Sequence, residues 1–252
     1  ATYSYQKIMS LMDNQGAQMY SIWTNTPSVN SPNEYVLKRS PYAIPHKVTA
    51  YASYKFEYGI KHISTTIGLF YTAHTSGLYS YMYTNDMNGD GVVNDLIYIP
   101  KDKNDIALVD IPQYSAAQQR DALWNFIEKD PYLSKHKGEY AQANAATLNW
   151  MHQLDVRLTQ DFIINAKKDR HILELTLDIL NLPNLLCSSW GVQYGAGPCN
   201  YGRILKYEST NAEKVPQYSV YYNADGLLSQ RSEVVKNSAY CWQLQLGLRY
   251  KF

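Results

Sequence analysis

The stretch YCWQLQLGLRYKF, residues 240–252, alternates between apolar and polar side chains along its whole length. The apolar positions are every second residue: Tyr240, Trp242, Leu244, Leu246, Leu248, Tyr250 and Phe252. Because successive side chains of a strand point to opposite faces, the pattern predicts one strand with an apolar face and a polar face. Aromatic rings at both ends with leucines between them are the order expected of a strand that crosses a bilayer. A strand of a soluble sandwich can alternate in the same way, so this segment alone leaves both interpretations open.

The composition argues against a helical membrane protein. Hydrophobic residues make up 45% of the chain and the mean hydropathy is −0.41. No apolar run approaches the roughly 20 residues that a membrane helix needs. A transmembrane barrel remains compatible, because alternation keeps the average hydropathy low. The net charge of +1 gives no indication of nucleic-acid binding, and the 24 tyrosines suit strands, membrane interfaces and ligand-gripping loops alike.

The first residues have no basic region, apolar segment or cleavage site of a signal peptide. For a strand that crosses a bilayer, we therefore expect an earlier part of the gene product that this chain lacks. The three cysteines are too few for a disulfide scaffold. Cys187 and Cys199 lie in one loop, so either these two are bonded and Cys241 is left over, or all three are free.

Alternation recurs elsewhere and predicts six strands in all. They lie near 1–9, 46–58, 62–74, 147–163, 170–182 and 240–252, with short turns at 59–61 and 164–169 and long loops at 10–45, 75–146 and 183–239. In the second loop, Ser115 and Gln118 fit a capping box, and an apolar stripe follows at Leu123, Phe126 and Ile127. The sequence therefore predicts one short loop helix that begins after Ser115.

Short turns that alternate with long loops are unusual in a compact soluble domain and normal in an outer-membrane barrel. The polar strand faces carry charges such as Glu174, Asp178 and Arg249, which suit a wet lumen better than lipid. Six strands with open edges would leave unpaired backbone groups in lipid, so other strands must complete the barrel. We therefore predict an all-β fold: about six strands of a large antiparallel transmembrane β-barrel, with Phe252 periplasmic and the long loops extracellular.

Five motifs carry a resemblance to a known family. They are NDMNGDGVVNDLIYIPKD (85–102), FIEKDPYLSKHKGEYAQANA (126–145), WMHQLDVRLTQDF (150–162), LDILNLPN (177–184) and LQLGLRYKF (244–252). With them the chain resembles the C-terminal barrel portion of TonB-dependent outer-membrane transporters, and most nearly the Oar-like receptors with a carboxypeptidase-regulatory-like domain. Residues 1–45 and 185–239 carry the resemblance weakly.

The resemblance implies a 22-stranded barrel that is closed by a plug domain and takes up a scarce nutrient. The implied partners are the remaining N-terminal strands and plug of the receptor, the inner-membrane TonB complex, outer-membrane lipid and, as a further candidate, a surface lipoprotein. The plug and the segment that contacts TonB do not occur in this sequence, so the moving part of the transport mechanism lies outside it.

The stretch DMNGDGVVND fits part of an EF-type calcium loop, with Gly91 at its turn position. The candidate ligands are Asp86, Asn88, Asp90, Asn94 and Asp95. Position 12, normally a bidentate acid, is Ile97, and only Asp95 is near enough to substitute. The alternative is a turn rich in Asp, Asn and Gly whose side chains bond their own backbone. No cofactor is required in either case.

The sequence offers no catalytic constellation, and we predict a protein that is not an enzyme. His152 and Asp155, and likewise His171 and Glu174, are three residues apart, so in a strand each pair points to opposite faces. No Ser or Cys elbow accompanies either pair.

Loop aromatics are the candidate ligand residues: Trp23, Trp124, Tyr194 and Tyr201. They either grip a substrate or pack the long loops against each other. Three functions stay open: an uptake receptor, a non-transporting scaffold barrel whose loops bind a partner protein, and a soluble calcium-stiffened binding module. A plug inside the completed barrel would favour uptake, whereas apolar strand faces packed against each other would favour the soluble module.

Overall fold

The structure is a computed structural model that describes residues 1–12, 16–58, 62–166 and 169–252. Eighteen strands occur in these residues. The first nine are β1 Thr2–Tyr5, β2 Met9–Ser10, β3 Lys38–Arg39, β4 His46–Glu57, β5 Ile63–Thr75, β6 Leu78–Tyr79, β7 Met82–Tyr83, β8 Ala107–Leu108 and β9 Ala146–Thr147. The others are β10 Trp150–Ala166, β11 Asp169–Leu180, β12 Tyr194–Gly195, β13 Arg203–Thr210, β14 Pro216–Val220, β15 Tyr222–Asn223, β16 Gly226–Leu227, β17 Glu233–Val234 and β18 Gln243–Lys251.

Three α-helices and three single 3₁₀ segments complete the elements of the described residues. The helices are α1 Met19–Thr24, α2 Ala116–Lys129 and α3 Leu182–Leu186, and the 3₁₀ segments are Leu133–Lys135, Gly197–Gly202 and Ser238–Tyr240. The predicted turn at 59–61 lies outside the described residues, as do residues 167 and 168 of the predicted turn at 164–169. In the part of the chain that the structure describes, no helix is long and apolar enough to cross a membrane.

One six-stranded antiparallel sheet contains a strand at each of the six places that the alternation predicts. Its order is β1-β4-β5-β10-β11-β18, so each strand pairs with the next predicted strand of the chain. β1 is shorter than predicted, because the chain leaves the sheet after Tyr5 and residues 9–10 pair with 38–39 instead. This short N-terminal strand is the largest departure from the predicted strand ranges.

The register joins the apolar faces of neighbouring strands. One row across the sheet contains Tyr54, Ile67, Leu158, Leu177 and Leu246, and the next contains Ala52, Leu69, Val156, Ile179 and Leu244. Directly opposed residues of antiparallel strands have their side chains on the same face. The predicted facing of the strands is therefore confirmed, and the apolar rows form one continuous surface over five strands.

The sheet is not a closed barrel in the described residues. Within it, β1 pairs with β4 alone and β18 pairs with β11 alone. The coarse prediction of a mostly β, antiparallel fold is confirmed.

The hydrophobic core lies in the long loops and not beneath the sheet. Its buried members all come from the predicted loops 75–146 and 183–239, among them Tyr81, Ile97, Ile127, Leu133 and Ile204. A four-stranded sheet of order β7-β13-β14-β8 runs through this region, and α2 packs against it. We call the folded part of residues 75–146 and 183–239 the loop layer.

Helix α2 forms as predicted. Gln118 N–H donates to Ser115 Oγ at 3.3 Å and Ser115 N–H donates to Gln118 Oε1 at 2.9 Å, which is the reciprocal capping box. Leu123, Phe126 and Ile127 are buried in the core. The expectation of a single loop helix was wrong, because α1 and α3 also form. With 6 and 5 residues, they are too short to show a helical period.

Candidate functional site

The apolar face of the six-stranded sheet is uncovered. Leu246 and Leu248 in β18 are 75% and 69% exposed, and Tyr54, Leu69 and Leu175 are exposed as well. Such a large exposed apolar surface marks a site of interaction with another apolar phase or partner. Within the described residues, the apolar strand faces do not pack against each other, as the soluble module would require.

Aromatic rings lie at the loop end of this apolar face. Tyr3 OH and His46 Nδ1 are 2.7 Å apart, and the His46 ring lies 6.1 Å from that of Trp150. Beside them, Tyr71 OH is 2.8 Å from His152 Nδ1. Each of these side chains combines a flat apolar ring with a polar atom, which suits the boundary between lipid and water.

A second aromatic group lies at the opposite end of the face. Tyr250 and His171 stack with ring centroids 5.8 Å apart, and Tyr250 OH lies 2.7 Å from His171 Nδ1. Phe252 stacks on Tyr250, and Tyr54 meets Phe56 edge to face. The aromatic, aliphatic, aromatic order predicted for residues 240–252 thus extends over neighbouring strands.

The two aromatic ends are separated by about the thickness of a bilayer. Trp150 pairs with Thr75 at the loop end, and Phe162 pairs with Ile63 at the other end. The twelve steps between Trp150 and Phe162 span about 40 Å of strand at about 3.4 Å per residue. At a tilt of about 45°, that is roughly 28 Å of height, close to the roughly 30 Å of a hydrocarbon core.

The opposite face of the sheet carries paired charges. Arg157 donates to both oxygens of Asp178, with distances of 2.5 and 2.8 Å. Glu174 accepts from Lys251 Nζ at 2.5 Å and lies 3.7 Å from Arg249. Both carboxylate side chains are largely covered, and Glu174 has a side-chain exposure of 13%. The polar face is therefore a ladder of ion pairs that crosses β10, β11 and β18.

The two His–acid pairs of the sequence are not assembled. His152 contacts Tyr71, whereas Asp155 Oδ1 accepts the backbone N–H of Asn181 at 2.8 Å. His171 contacts Tyr250, and Glu174 pairs with Lys251. The members of each pair have different partners, as their positions on opposite faces require.

The motif LDILNLPN ends β11 and fixes the third loop. Asn181 adopts φ 54°, a left-handed conformation that Asn tolerates better than most residues. Its Nδ2 donates to Gly191 O at 2.8 Å and to Tyr240 O at 2.9 Å. One side chain therefore holds both the beginning of the third loop and the approach to the last strand.

A buried polar chain runs through the loop layer. Tyr79 and Tyr81 hydroxyls are 2.8 Å apart, and Tyr81 OH donates to Asp130 Oδ2 at 2.7 Å. Asp130 Oδ1 accepts the N–H groups of Tyr132 and Leu133. Burial raises the pKa of Tyr81, as it does that of Tyr79. The network fixes the C-terminal end of α2, and its sequence signal is the Asp130–Pro131 pair after the apolar stripe.

Gly202 is one of the places where the two segments of the loop layer, 75–146 and 183–239, are in contact. Its φ is 93°, and a Cβ built there would lie 1.9 Å from Ser80 O, so only glycine fits. Nearby, the buried Cys199 thiol donates to Arg231 O at 3.1 Å. Cys187, Cys199 and Cys241 are all free thiols in the structure.

The four predicted ligand aromatics do not form one site. Trp23 Nε1 donates to Asn33 Oδ1 at 3.1 Å, Lys137 Nζ lies 4.8 Å above the Trp124 ring, and Tyr194 pairs with Val234. Tyr201 is 66% exposed at φ 55°, beside Gly202. In the part of the chain that the structure describes, no ring contact joins any two of the four. Trp124 packs against the core, as the packing alternative expects.

In the predicted calcium loop, carboxylate and amide oxygens accept backbone N–H groups. Asp86 accepts from Gly89 and Gly91 at 2.7 Å each, and Asn88 Oδ1 accepts from Asp90 at 2.9 Å. Asp90 Oδ1 in turn accepts from Val92 at 2.9 Å. These bonds are those of the turn alternative.

The other two candidate ligands point inward. Asn94 Nδ2 donates to Thr26 O at 2.8 Å, and the buried Asp95 accepts from Met87 N–H and Asn88 Nδ2. Burial, followed by the charges of Asp90 and Asp86, raises the pKa of Asp95. Among the described residues, no group of three or more His, Cys, Asp or Glu side chains is placed to hold a metal ion. Calcium binding by this loop remains a prediction.

Comparison with known proteins provides no family assignment. The chain matches no protein-family model, no curated protein and no solved structure.

Proposed function

We propose that the chain is part of the wall of a TonB-dependent outer-membrane receptor that takes up a scarce nutrient. In this proposal it supplies the last strands of the barrel and extracellular loops on the ligand side. The observation that carries the proposal is the five-strand apolar face, which is uncovered, bounded by aromatic rings at both ends and backed by a face of ion pairs. Lipid on one side and a wet lumen on the other explain both faces together.

The free edges of the sheet support a larger assembly. In lipid, each unpaired backbone group at the outer edges of β1 and β18 would cost several kcal/mol. Further strands on both sides would pair these groups and remove that cost. The complete barrel would then have 22 strands and a plug in its lumen. We place Phe252 in the periplasm and the loop layer outside the cell, where a surface lipoprotein is a candidate partner. The role is binding and transport, without catalysis or nucleic acid.

A scaffold barrel without transport is the second candidate. The loop layer has its own hydrophobic core, and in the first long loop Tyr35, Val36 and Leu37 are exposed at 79%, 62% and 59%. A folded platform together with an exposed apolar segment also suits a partner protein. The two candidates differ in the lumen of the completed barrel: a plug supports uptake, and an open or partner-filled lumen supports the scaffold.

Two arginine substitutions on adjacent residues test the membrane assignment. Leu246→Arg places a charge on the apolar face at mid-sheet, where it costs about 2–4 kcal/mol against lipid. Gln245→Arg places the same charge on the polar face, opposite Asp178. We expect the first variant of the full receptor to fail in outer-membrane assembly and the second to assemble normally. Heat-modifiable electrophoretic mobility of membrane fractions measures assembly, and equal behaviour of the two variants would contradict the proposal.

A further inference from the structure

A groove of about 470 Å³ in the loop layer is lined in part by the predicted calcium loop and by none of the four predicted ligand aromatics. It is bordered by Tyr83, Tyr98, Tyr140, Tyr218, Asp95 and Asp105, and we call it the tyrosine groove. Its volume is within the range of small-ligand sites. None of the described residues that line it is Lys, Arg or His, so its charged groups are all negative.

The aromatic walls of the groove are held by stacking. Tyr83 and Tyr218 are buried and stack with centroids 5.6 Å apart and planes at 16°. Tyr98 and Tyr140 meet edge to face at 5.7 Å, and Tyr140 is 54% exposed. The negative face of an aromatic ring attracts a cation placed over it. The walls are therefore suited to a positively charged, partly flat ligand group.

Asp105 supplies the charge at the rim. Its Oδ2 accepts from Tyr98 OH and from Lys101 N–H, both at 2.8 Å. The bond from Lys101 N–H, followed by that from Tyr98, lowers the pKa of Asp105, so the carboxylate is ionised at neutral pH. Its second oxygen, Oδ1, has no hydrogen bond within the described residues. One oxygen thus orients the group while the other is available to a ligand.

The same geometry is poorly suited to a metal ion. Calcium takes 6–8 oxygen ligands, whereas Asp95 already uses both oxygens for Met87 N–H and Asn88 Nδ2. A guanidinium group requires fewer ligand groups than calcium does. One carboxylate can accept from its N–H groups, and an aromatic ring can pack against its flat surface.

We propose that the tyrosine groove binds the guanidinium or ammonium group of a cationic ligand, with Asp105 as its counter-ion and the Tyr98 and Tyr140 rings in contact with it. The contacts within the groove alone support this site. The consequence that the receptor takes up a basic nutrient, such as a peptide with arginine or lysine, rests on the proposed function.

A pair of matched ligands tests the charge requirement. Nα-acetyl-arginine amide and Nα-acetyl-citrulline amide have nearly the same shape, and only the first carries a positive charge. Binding to the full receptor in detergent is measured by titration calorimetry and by tyrosine fluorescence. We expect the arginine amide to bind at least about tenfold more tightly, as a charge-assisted hydrogen bond predicts. Equal binding of the two, or binding of neither, would overturn the proposal.

A pair of matched variants tests the location. Asp105→Asn keeps the shape and removes the charge, and we expect about a tenfold loss of arginine amide affinity. Asp102→Asn changes an exposed neighbouring acid that does not line the groove, and we expect less than about a twofold change. If Asp102→Asn weakens binding as much as Asp105→Asn, the effect is general surface charge and the assignment is wrong.

Tyr140 provides a test of the ring contribution. Tyr140→Leu removes the ring and should weaken arginine amide binding about two- to fivefold, whereas Tyr140→Phe keeps the ring and should bind as the parent does. Near-UV circular dichroism verifies that each variant is folded. Binding is measured on purified protein in detergent and assembly in membrane fractions, so failure of the groove and failure of the receptor proposal are distinguishable.

Discussion

At the scale of single residues, the cysteines show how burial sets reactivity. Burial raises the pKa of Cys199 to about 11, whereas the hydrogen bond with Ser189 lowers the pKa of Cys187. Cys199 is fully buried, and Cys187 is only partly covered. The thiolate is the reactive form, so both accessibility and protonation favour Cys187 over Cys199.

We therefore predict that iodoacetamide at neutral pH modifies Cys187 and Cys241 in the folded protein and leaves Cys199 unmodified. Mass spectrometry of the cysteine peptides measures the three rates. Denaturant before alkylation should make Cys199 as reactive as the others, which serves as the control. Protection of Cys187 together with Cys199 until a reductant is added would instead indicate a bond between them.

The same thiol gives a pH dependence with a definite sign. The folded-state pKa of Cys199, about 11, lies above its ordinary value of 9.0. The folded state therefore holds this proton more tightly than the unfolded state, and the thiol's contribution to stability is complete below about pH 9. This contribution is lost as the pH rises from about 9 towards 11. In Cys199→Ser, which has no thiol to titrate there, the free energy of unfolding should fall less over the same pH range.

At the scale of elements, α2 is attached to the loop-layer sheet through Gln119. Its Nε2 donates to Val109 O at 2.8 Å and to Tyr114 O at 3.2 Å, and its Oε1 accepts from Val220 N–H at 2.9 Å. The side chain is fully buried. One residue thus forms hydrogen bonds with three backbone groups, which come from both sequence segments of the loop layer.

Gln119→Leu should destabilise the loop layer by about 2–4 kcal/mol, because it leaves buried backbone groups without partners. The matched control is Asn125→Leu, which also replaces a side-chain amide by leucine but at an exposed position of the same helix, and it should change stability by less than about 0.5 kcal/mol. Thermal unfolding followed by near-UV circular dichroism measures the difference. Equal melting temperatures of the two variants would contradict the role of Gln119.

The long strands could be predicted because each repeats a period of two over many residues. In β11, Leu173, Leu175 and Leu177 alternate with Glu174 and Thr176, and the register places all of them as expected. α2 was predictable from its capping box for the same local reason. Local patterns define elements of this length and their faces.

The loop layer was not predictable, because its contacts join distant residues. Leu205 pairs with Tyr83, and Tyr218 pairs with Leu108. The strands β7 and β8 have two residues each, too few to show any period. The tyrosine groove is assembled from several separate segments between residues 29 and 218. Residue type was the only basis for choosing loop aromatics from the sequence, and the four chosen do not line this groove.

In the molecule as a whole, the sheet and the loop layer place their apolar side chains in opposite ways. The loop layer buries its apolar side chains in a core of its own, whereas the sheet exposes them on one face. A water-soluble fold would cover such a face with a second layer. Under the proposed function, hydrocarbon is therefore the medium against Leu244, Leu246 and Leu248.

Spin labels along β18 report whether hydrocarbon covers its leucine face. Single cysteines at Leu244, Leu246 and Leu248, and at Gln243, Gln245 and Arg249, are labelled in the protein reconstituted in lipid after its native cysteines are replaced by serine. We predict that the leucine positions are accessible to oxygen dissolved in lipid, and that the other three are accessible to a water-soluble nickel reagent, with strict alternation along the strand. Accessibility without alternation, or leucine positions that neither reagent reaches, would contradict the account.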